Sequence, residues 1–292
     1  MTSALVSIII PCFNHAQYLP DALDSVFAQS FSNWECIIVN DGSSDDTEEV
    51  ALGYCKMDSR FIYLQKENGG TSSARNAGIR KSLGNYILPL DADDKIEVEY
   101  LQKAVEVLDN SADVKVVYGE VEFFGVETGI WELPPFSLRQ LALGNMIYCS
   151  AFFRRSDFNQ YGGYDESFLF GLEDWEFWLR ILKDGGSVVK LSPVYFYYRK
   201  KENSRTNSLL NNEDWNIKMK NKLYVKHSDL YTKLFGDLII MIVDKRKLEH
   251  KLEETQNQLE RRVAQIKLIY ESSSFRLGNF ILKPLRFLNW KK

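Results

Sequence analysis

The sequence predicts an α/β domain with a mostly parallel central sheet and flanking helices, followed by a C-terminal helical extension. Three features of the chain carry that prediction. Apolar, β-branched runs alternate with helically spaced segments over the first hundred residues; polar, turn-rich segments close those runs; and beyond about residue 205 the spacing is helical throughout. Strand–helix alternation of this kind means parallel strands with helices on both faces. Such sheets take their ligands at the carboxyl ends of the strands.

Residues 6–10 form an apolar run stopped by Pro11, the pattern of a strand buried on both faces. Over 18–29, Leu19, Ala22, Leu23, Val26 and Phe27 recur at helical spacing. A second buried strand at 36–39 ends in the turn Asn40-Asp41-Gly42-Ser43-Ser44, and Asp45 or Asp46 is placed to cap a helix over 47–56. A short strand follows at 61–65, Asn68-Gly69-Gly70 breaks the chain, and a helix occupies 71–82. The fourth strand, 86–90, ends at Asp91-Ala92-Asp93-Asp94, ahead of a helix over 96–108. Residues 113–200 read as a mixed extension of the same sheet, with strands at 114–124, 147–153, 188–190 and 194–199 and a compact Trp-rich helix at Glu173–Leu182. No linker interrupts this stretch, so residues 1–205 are expected to form one domain with halves at 1–112 and 113–205.

The remainder divides into a helical segment (206–243), a coiled-coil-like helix (244–270) and a tail (271–292). Leu248, Leu252, Thr255, Leu259, Arg262, Ile266 and Ile269 follow alternating steps of four and three, a heptad seam in which Thr255 and Arg262 are poor members. The seam either pairs two copies or packs back on the body. In the tail, Phe275, Leu277, Phe280, Ile281, Leu285 and Leu288 share one broad face fringed by Trp290 and basic residues. Such a segment either lies in a membrane interface or docks as an ordinary helix, and Pro284 interrupts it.

Composition narrows the function. The chain has 292 residues and a net charge of −4; residues 271–292 hold five basic residues against one acid, which leaves the rest at −8. An acidic body argues against a nucleic-acid polymer as the main ligand. Cys12, Cys36, Cys55 and Cys149 lie far apart with no CxxC pair, as expected of reduced thiols in a reducing compartment. The N-terminal apolar stretch stops at Pro11 without a basic lead, and no run approaches the roughly 18 apolar residues of a membrane span. The expected location is the cytoplasm, with contact at the membrane face through the tail as the open alternative. The three histidines share no metal spacing, and neither GxxxxGK[ST] nor GxGxxG occurs.

Chemistry concentrates in carboxylates at strand ends. Asp41 by itself suits an Asx turn. The acids Asp91, Asp93 and Asp94 repel one another unless a cation or donors offset them; at about 4 Å and an effective dielectric near 20, each like pair costs on the order of 4 kcal/mol. A divalent ion bridging them to a diphosphate would relieve the repulsion, and helix capping by Asp93 or Asp94 could coexist with that role. Glu173 and Asp174 open a helix, which by itself needs no function.

Taken in order, the motifs say more. The segments Val6-Ser7-Ile8-Ile9-Ile10-Pro11-Cys12-Phe13-Asn14, Gln29-Ser30-Phe31 and Ile37-Ile38-Val39-Asn40-Asp41-Gly42-Ser43-Ser44-Asp45 resemble the opening of family 2 glycosyltransferases. The likeness continues through Asn68-Gly69-Gly70-Thr71-Ser72-Ser73-Ala74-Arg75-Asn76, Leu90-Asp91-Ala92-Asp93-Asp94, Gly162-Gly163-Tyr164-Asp165-Glu166 and Glu173-Asp174-Trp175-Glu176-Phe177-Trp178, over residues 5–205. The resemblance implies a GT-A fold and an inverting hexosyl transfer from a nucleotide-diphosphate sugar, UDP-linked if the base is uracil. It gives 1–112 to the donor and 113–205 to the acceptor. Carried over residue by residue, it puts Pro11, Phe13 and Asp41 in the base and ribose pocket, Arg75 near the base and phosphates, and Asp91 at the ribose. Asp93 would hold Mg²⁺ or Mn²⁺ on the diphosphate, and the register leaves open whether Asp94 shares that role. Asp174 would be the general base, with Glu173 on the acceptor or a neighbouring segment. Trp175 would line the acceptor site or pack in the core.

One position departs from the family pattern. Many relatives end the last strand with Tyr-Arg-x-His, the His completing the metal site, whereas Tyr198-Arg199-Lys200-Lys201 puts Lys201 there. A protonated ammonium cannot ligate a cation but can neutralise diphosphate directly. The implied acceptor is a surface glycan, lipid-linked if the tail meets a membrane. The rival readings are a non-catalytic sugar-nucleotide-binding or assembly subunit that recruits partners through 244–270, and a sugar-phosphate nucleotidyltransferase. The latter would carry a Gly-rich phosphate loop after the first strand, where this chain has Pro11-Cys12-Phe13-Asn14.

Overall fold

In a computed structural model, residues 5–202, 212–272 and 277 are described. The predicted amphipathic tail lies outside the described residues apart from its first two positions and Leu277. The chain divides into two compact units, Met1–Leu230 and Tyr231–Lys292.

The first unit opens with β1 (Val6–Cys12), α1 (Leu19–Phe27), β2 (Trp34–Asp41), α2 (Thr47–Met57), β3 (Phe61–Lys66), α3 (Thr71–Lys81) and β4 (Tyr86–Pro89). It continues with β5 (Lys95–Ile96), α4 (Tyr100–Asn110), β6 (Val114–Gly125), β7 (Gly129–Trp131), α5 (Leu138–Leu143) and β8 (Phe152–Arg154). Then follow α6 (Arg155–Tyr161), α7 (Glu173–Leu182), β9 (Ser187–Lys200) and α8 (Glu213–Lys226). After α9 (Ser228–Phe235), the second unit consists mainly of the long α10 (Leu238–Glu271).

One nine-stranded sheet runs β3-β2-β1-β4-β8-β6-β9-β5, with β7 paired to β6. Its first four strands are parallel in register, Ile9 facing Ile37 and Ile8 facing Leu88. The second half is not. Strand β8 runs antiparallel to β4 and β6, β7 to β6 and β5 to β9, while β6 and β9 are parallel. The sheet is therefore mixed rather than mostly parallel. A strand's direction is set by the connection that brings it home, which an apolar run does not reveal.

Several boundaries also move. Strand β1 continues through Pro11 to Cys12. The run at 147–153 yields only Phe152–Arg154, because the backbone turns on itself where Ala151 N–H donates to the Cys149 carbonyl at 2.9 Å. The strands expected at 188–190 and 194–199 are one, β9, which absorbs Pro193 through register shifts against β6. The helix expected from residue 96 starts at Tyr100, since Lys95 and Ile96 pair with β9; Glu99 is its N-cap, so Asp93 and Asp94 cap nothing there. The short helices α5 and α6 had no sequence signal.

The core that positions the site is the pair β1 and β2 under α3. Val6, Ile8, Ile9, Ile10 and Cys36–Val39 are all but inaccessible to water. Helix α3 approaches them closely because residue 78 is glycine: a Cβ there would stand 2.5 Å from Ile9 Cγ2 and 2.9 Å from Val39 Cγ2. A second contact ties α3 to the later half. The Asn76 side chain donates to the Tyr164 carbonyl at 2.8 Å and accepts from Tyr164 N–H at 2.8 Å. A Cβ at Gly163 would lie 2.4 Å from Asn76 Oδ1, so the Gly162-Gly163-Tyr164 motif keeps a backbone docking surface open.

The second unit's α10 leaves its apolar side chains exposed, Leu248 at 68% and Leu259 at 61%. Among the described residues no helix is long and apolar enough to cross a membrane. The close approach of α3 leads to a stability prediction. Gly78→Ala gains about 1 kcal/mol of helix propensity, yet overpacking against two immobile strands should leave the protein about 1–3 kcal/mol less stable, read as a lower urea midpoint at unchanged slope.

Candidate active site

The polar loops at the ends of β1, β2, β4 and β9 and the start of α7 carry the chemistry-bearing residues. The first two loops are cross-braced. Asn14 N–H donates to Ser43 Oγ at 3.0 Å, Asn14 Oδ1 accepts from Ser44 N–H at 2.8 Å, and Asp45 accepts from Ala16 N–H at 2.8 Å. Asn14 adopts a left-handed backbone, which short polar side chains tolerate. Next to it Phe13 is 47% exposed, an unusual posture for an aromatic ring that follows a buried strand. Pro11 sits beside Val39 in the ladder.

Asp41 is buried and turns towards the next loop. Its carboxylate accepts from Lys66 Nζ at 2.6 Å, Gly69 N–H at 3.0 Å and Gly70 N–H at 2.8 Å. The carboxylate thus organises Asn68-Gly69-Gly70 at the start of α3, using three of its roughly four acceptor positions.

Arg75, on α3, joins the two halves. Its guanidinium, 2% exposed, donates through Nη2 to Asp91 Oδ1 at 2.7 Å and through Nη1 to Glu173 Oε1 at 2.9 Å. The fork shape of arginine is what lets one cation serve two carboxylates at fixed angles. Asp91 also accepts from the Cys149 thiol at 3.2 Å, and burial together with the charge on Asp91 pushes that thiol's pKa well up. Glu173, 5% exposed, meets a neighbouring segment of its own chain rather than open space.

Asp174 follows Glu173 at the start of α7. Leu172, the N-cap, has φ 67°, a left-handed conformation that costs a non-glycine residue about 1–2 kcal/mol. Strain of this kind persists where surrounding contacts over-determine it, and functional turns are common hosts. The Asp174 carboxylate accepts from Trp175 N–H at 2.7 Å and from Asn145 Nδ2 at 2.9 Å. Burial, and next the charge on Glu173, raise its pKa to about 6, while Arg75 and the two hydrogen bonds pull the other way. Trp175 is 3% exposed and its indole donates to the Leu141 carbonyl at 2.6 Å. Of the two roles left open for it, the structure places it in the core, because α5 covers that face of α7.

The acids after β4 separate into different surroundings. Asp93 pairs with Lys201 Nζ at 2.6 Å, and Lys201 lies 2.8 Å from His15 Nε2 and over the Tyr18 ring. Burial and the Lys201 charge lower the His15 pKa. Asp94 is 1% exposed; Oδ1 accepts from Arg199 N–H at 2.8 Å, while Oδ2 has no hydrogen-bond partner among the described residues. Burial, then Asp93 and Asp91, push its pKa well up. Arg199 also donates to the Asp93 carbonyl at 2.8 Å and pairs with Asp21. Among the described residues no three His, Cys, Asp or Glu side chains form a cage for a metal ion. The donors present still suit Mg²⁺ or Mn²⁺ in an open site: both ions prefer carboxylate oxygens and often take one or two of them together with substrate phosphates. The unpartnered Asp94 Oδ2 fits such a demand.

The structure thus brings Arg75, Asp91, Glu173 and Asp174 into one cluster, and Asp93, Asp94 and Lys201 into a second beside it in sequence. Asn145, Cys149, His15 and Arg199 join them without having been singled out for these contacts. Asn145 follows no motif, and Cys149 and His15 carried only generic signals.

Comparisons with known proteins bear on the fold and the family. The family model described as glycosyl transferase family 2 matches residues 7–167, and one described as N-terminal domain of galactosyltransferase matches 142–202. Glycosyltransferase GlyA of Streptococcus pneumoniae is 38% identical over 112 residues, 38% of this chain and 16% of that protein. An uncharacterised glycosyltransferase of Rickettsia prowazekii is 34% identical over 207 residues, 66% of this chain and 61% of that protein. The chain therefore spans less than two thirds of either relative. Among solved structures, S. aureus TarS 1–349 in complex with UDP-GlcNAc matches with a TM-score of 0.61 at 21% identity, over 80% of this chain and 76% of that one. Mannosyltransferase PcManGT from Pyrobaculum calidifontis, in complex with GDP-Man and Mn²⁺, matches with a TM-score of 0.55 at 16% identity, over all of this chain and 89% of that one. These likenesses establish the fold as a GT-A-like α/β fold with a curled mixed sheet, and the chain belongs to glycosyl transferase family 2.

Proposed function

We propose that the protein transfers a hexose, with inversion, from a UDP-linked sugar to a hydroxyl of a surface-glycan acceptor. The observation that carries this reading is Asp174: a carboxylate held by two donors at a strained helix start, with its pKa raised to about 6, next to the Arg75 cluster. A group titrating there is ionised at neutral pH and still basic enough to accept a proton. In the step, the acceptor oxygen forms its bond to the anomeric carbon as the bond to the diphosphate breaks. The proton passes to Asp174, and the nucleotide leaves with the electron pair. Pro11, Phe13 and Asp41 bound the base and ribose pocket, Asp41 by shaping the Gly69-Gly70 turn, and Asp91 stands at the ribose under the hold of Arg75. Asp93 and Asp94 would hold Mg²⁺ or Mn²⁺, which would supply positive charge to offset a leaving diphosphate. Lys201, already on Asp93, adds a second positive charge at the same place.

The donor half is 1–112 and the acceptor half 113–205, with 206–243 connecting to the rest. The apolar stripe of 244–270 is the proposed self-association surface, and the tail 271–292 the proposed contact with an anionic membrane face. A non-catalytic sugar-nucleotide-binding subunit is the alternative outcome.

The deciding experiment is hydrolysis and binding across a panel of nucleotide sugars with and without Mn²⁺. Wild type should slowly hydrolyse one UDP-sugar, and Asp174→Asn should bind it with turnover lowered about 10²–10⁴-fold; binding without turnover by either protein would support the recruitment reading. Because Asp174 must be ionised to act, the wild-type rate should fall as pH drops below about 6, and a flat profile between pH 5 and 7 would remove it as the base. Lys201→Ala should cut turnover at least about tenfold; unchanged kinetics at every metal concentration would dismiss its role. Deleting residues 271–292 should abolish co-sedimentation with anionic phospholipid vesicles, and undiminished sedimentation would dismiss the tail as an anchor.

A further inference from the structure

Helix α10 spans 34 residues, long for a helix with so little cover in its own unit. Leu252 is 59% exposed, Val263 55% and Ile266 52%. The heptad reading of this stripe places Arg262 on the seam and leaves Val263 outside it. An eleven-residue repeat removes both faults. Met241, Leu252 and Val263 recur at eleven, as do Leu248, Leu259 and Tyr270. The third line, Asp244, Thr255 and Ile266, holds the only polar members. Eleven residues in three turns is about 3.67 per turn, close to a straight α-helix, so these lines stay on one face where a strict heptad drifts by about 20° per repeat.

The edges of the stripe differ in charge. Midway along the helix the acidic edge carries Glu249 and Glu260, and the basic edge Lys247, Lys251 and Arg262, with Glu253 and Glu254 farther out, one on each side; Lys245 and Lys267 stand on the acidic edge only towards its ends, Lys245 within 3.5 Å of Glu249. Two copies lying parallel bring the acidic edge of each against the basic edge of the other. Two antiparallel copies bring like edges together. We propose that α10 pairs with a second copy of this chain, parallel and in register, along the eleven-residue seam. The inference rests on the self-association proposed for 244–270 and specifies its geometry.

Full-length variants with one added cysteine each decide it, with wild type as the control for Cys55, the most accessible native thiol. Sedimentation should give a dimer at micromolar concentration. Under mild oxidation Val263→Cys should cross-link into covalent dimer several-fold more than Arg262→Cys. Glu260→Arg should weaken the dimer about tenfold, and Arg262→Glu added to it should restore affinity. A monomer at every concentration overturns the self-association itself. A dimer in which Arg262→Cys links better returns the seam to heptads, and one in which Val263→Cys does not link to itself, or Glu260→Arg has no effect, overturns the parallel arrangement alone.

Discussion

A single buried guanidinium holds the site together. Arg75 has left water almost completely, a state that is tolerable only with fixed counter-charges, and it finds them in Asp91 after β4 and Glu173 at the start of α7. Removing one partner of such a pair leaves a charge buried without compensation, typically at a cost of about 3–5 kcal/mol. The close seat of α3 on β1 and β2, the Asn76 clasp on Tyr164 and the turn at Leu172 all serve to bring these three residues to one point. Everything downstream in α7, including Asp174, inherits its placement from that contact.

The surrounding electrostatics follow from how many acids are gathered here. Asp91 is answered by Arg75, Asp93 by Lys201 and Asp94 by a backbone N–H, while burial and the neighbouring acids push the Asp94 pKa up. Among the described residues Asp174 has donors but no direct cation, and the neighbouring Glu173 pairs with Arg75. Two adjacent acids at one helix start therefore sit in different surroundings, Glu173 tied to a buried guanidinium and Asp174 held by two N–H donors.

Much of this was legible in the chain, and what was not has physical reasons. The alternation from β1 to β4 was readable because buried parallel strands are short, β-branched and closed by polar turns. The acids after β4 and at the start of α7 stood out as clusters that need an explanation. The direction of β8 and the merging of two runs into β9 were not readable, since pairing depends on partners remote in sequence. The same remoteness hid Arg75's attachment to Glu173, and a rim residue such as Asn145 belongs to no periodic pattern at all. Trp175 shows the converse limit: helical spacing identified it as core or lining, and only the position of α5 distinguishes the two.

The Arg75–Glu173 pair spans 98 residues of chain, and that separation has a bearing on how the molecule is made. As the chain leaves the ribosome, the first four strands can collapse with α3 in place while its arginine still lacks one counter-charge. Contacts this distant pay their loop-closure entropy late and tend to limit folding rate. Until α7 arrives, the first half of the domain holds a buried cation with one of its two counter-charges missing, so the Arg75 cluster closes only once the later half of the sheet is in place.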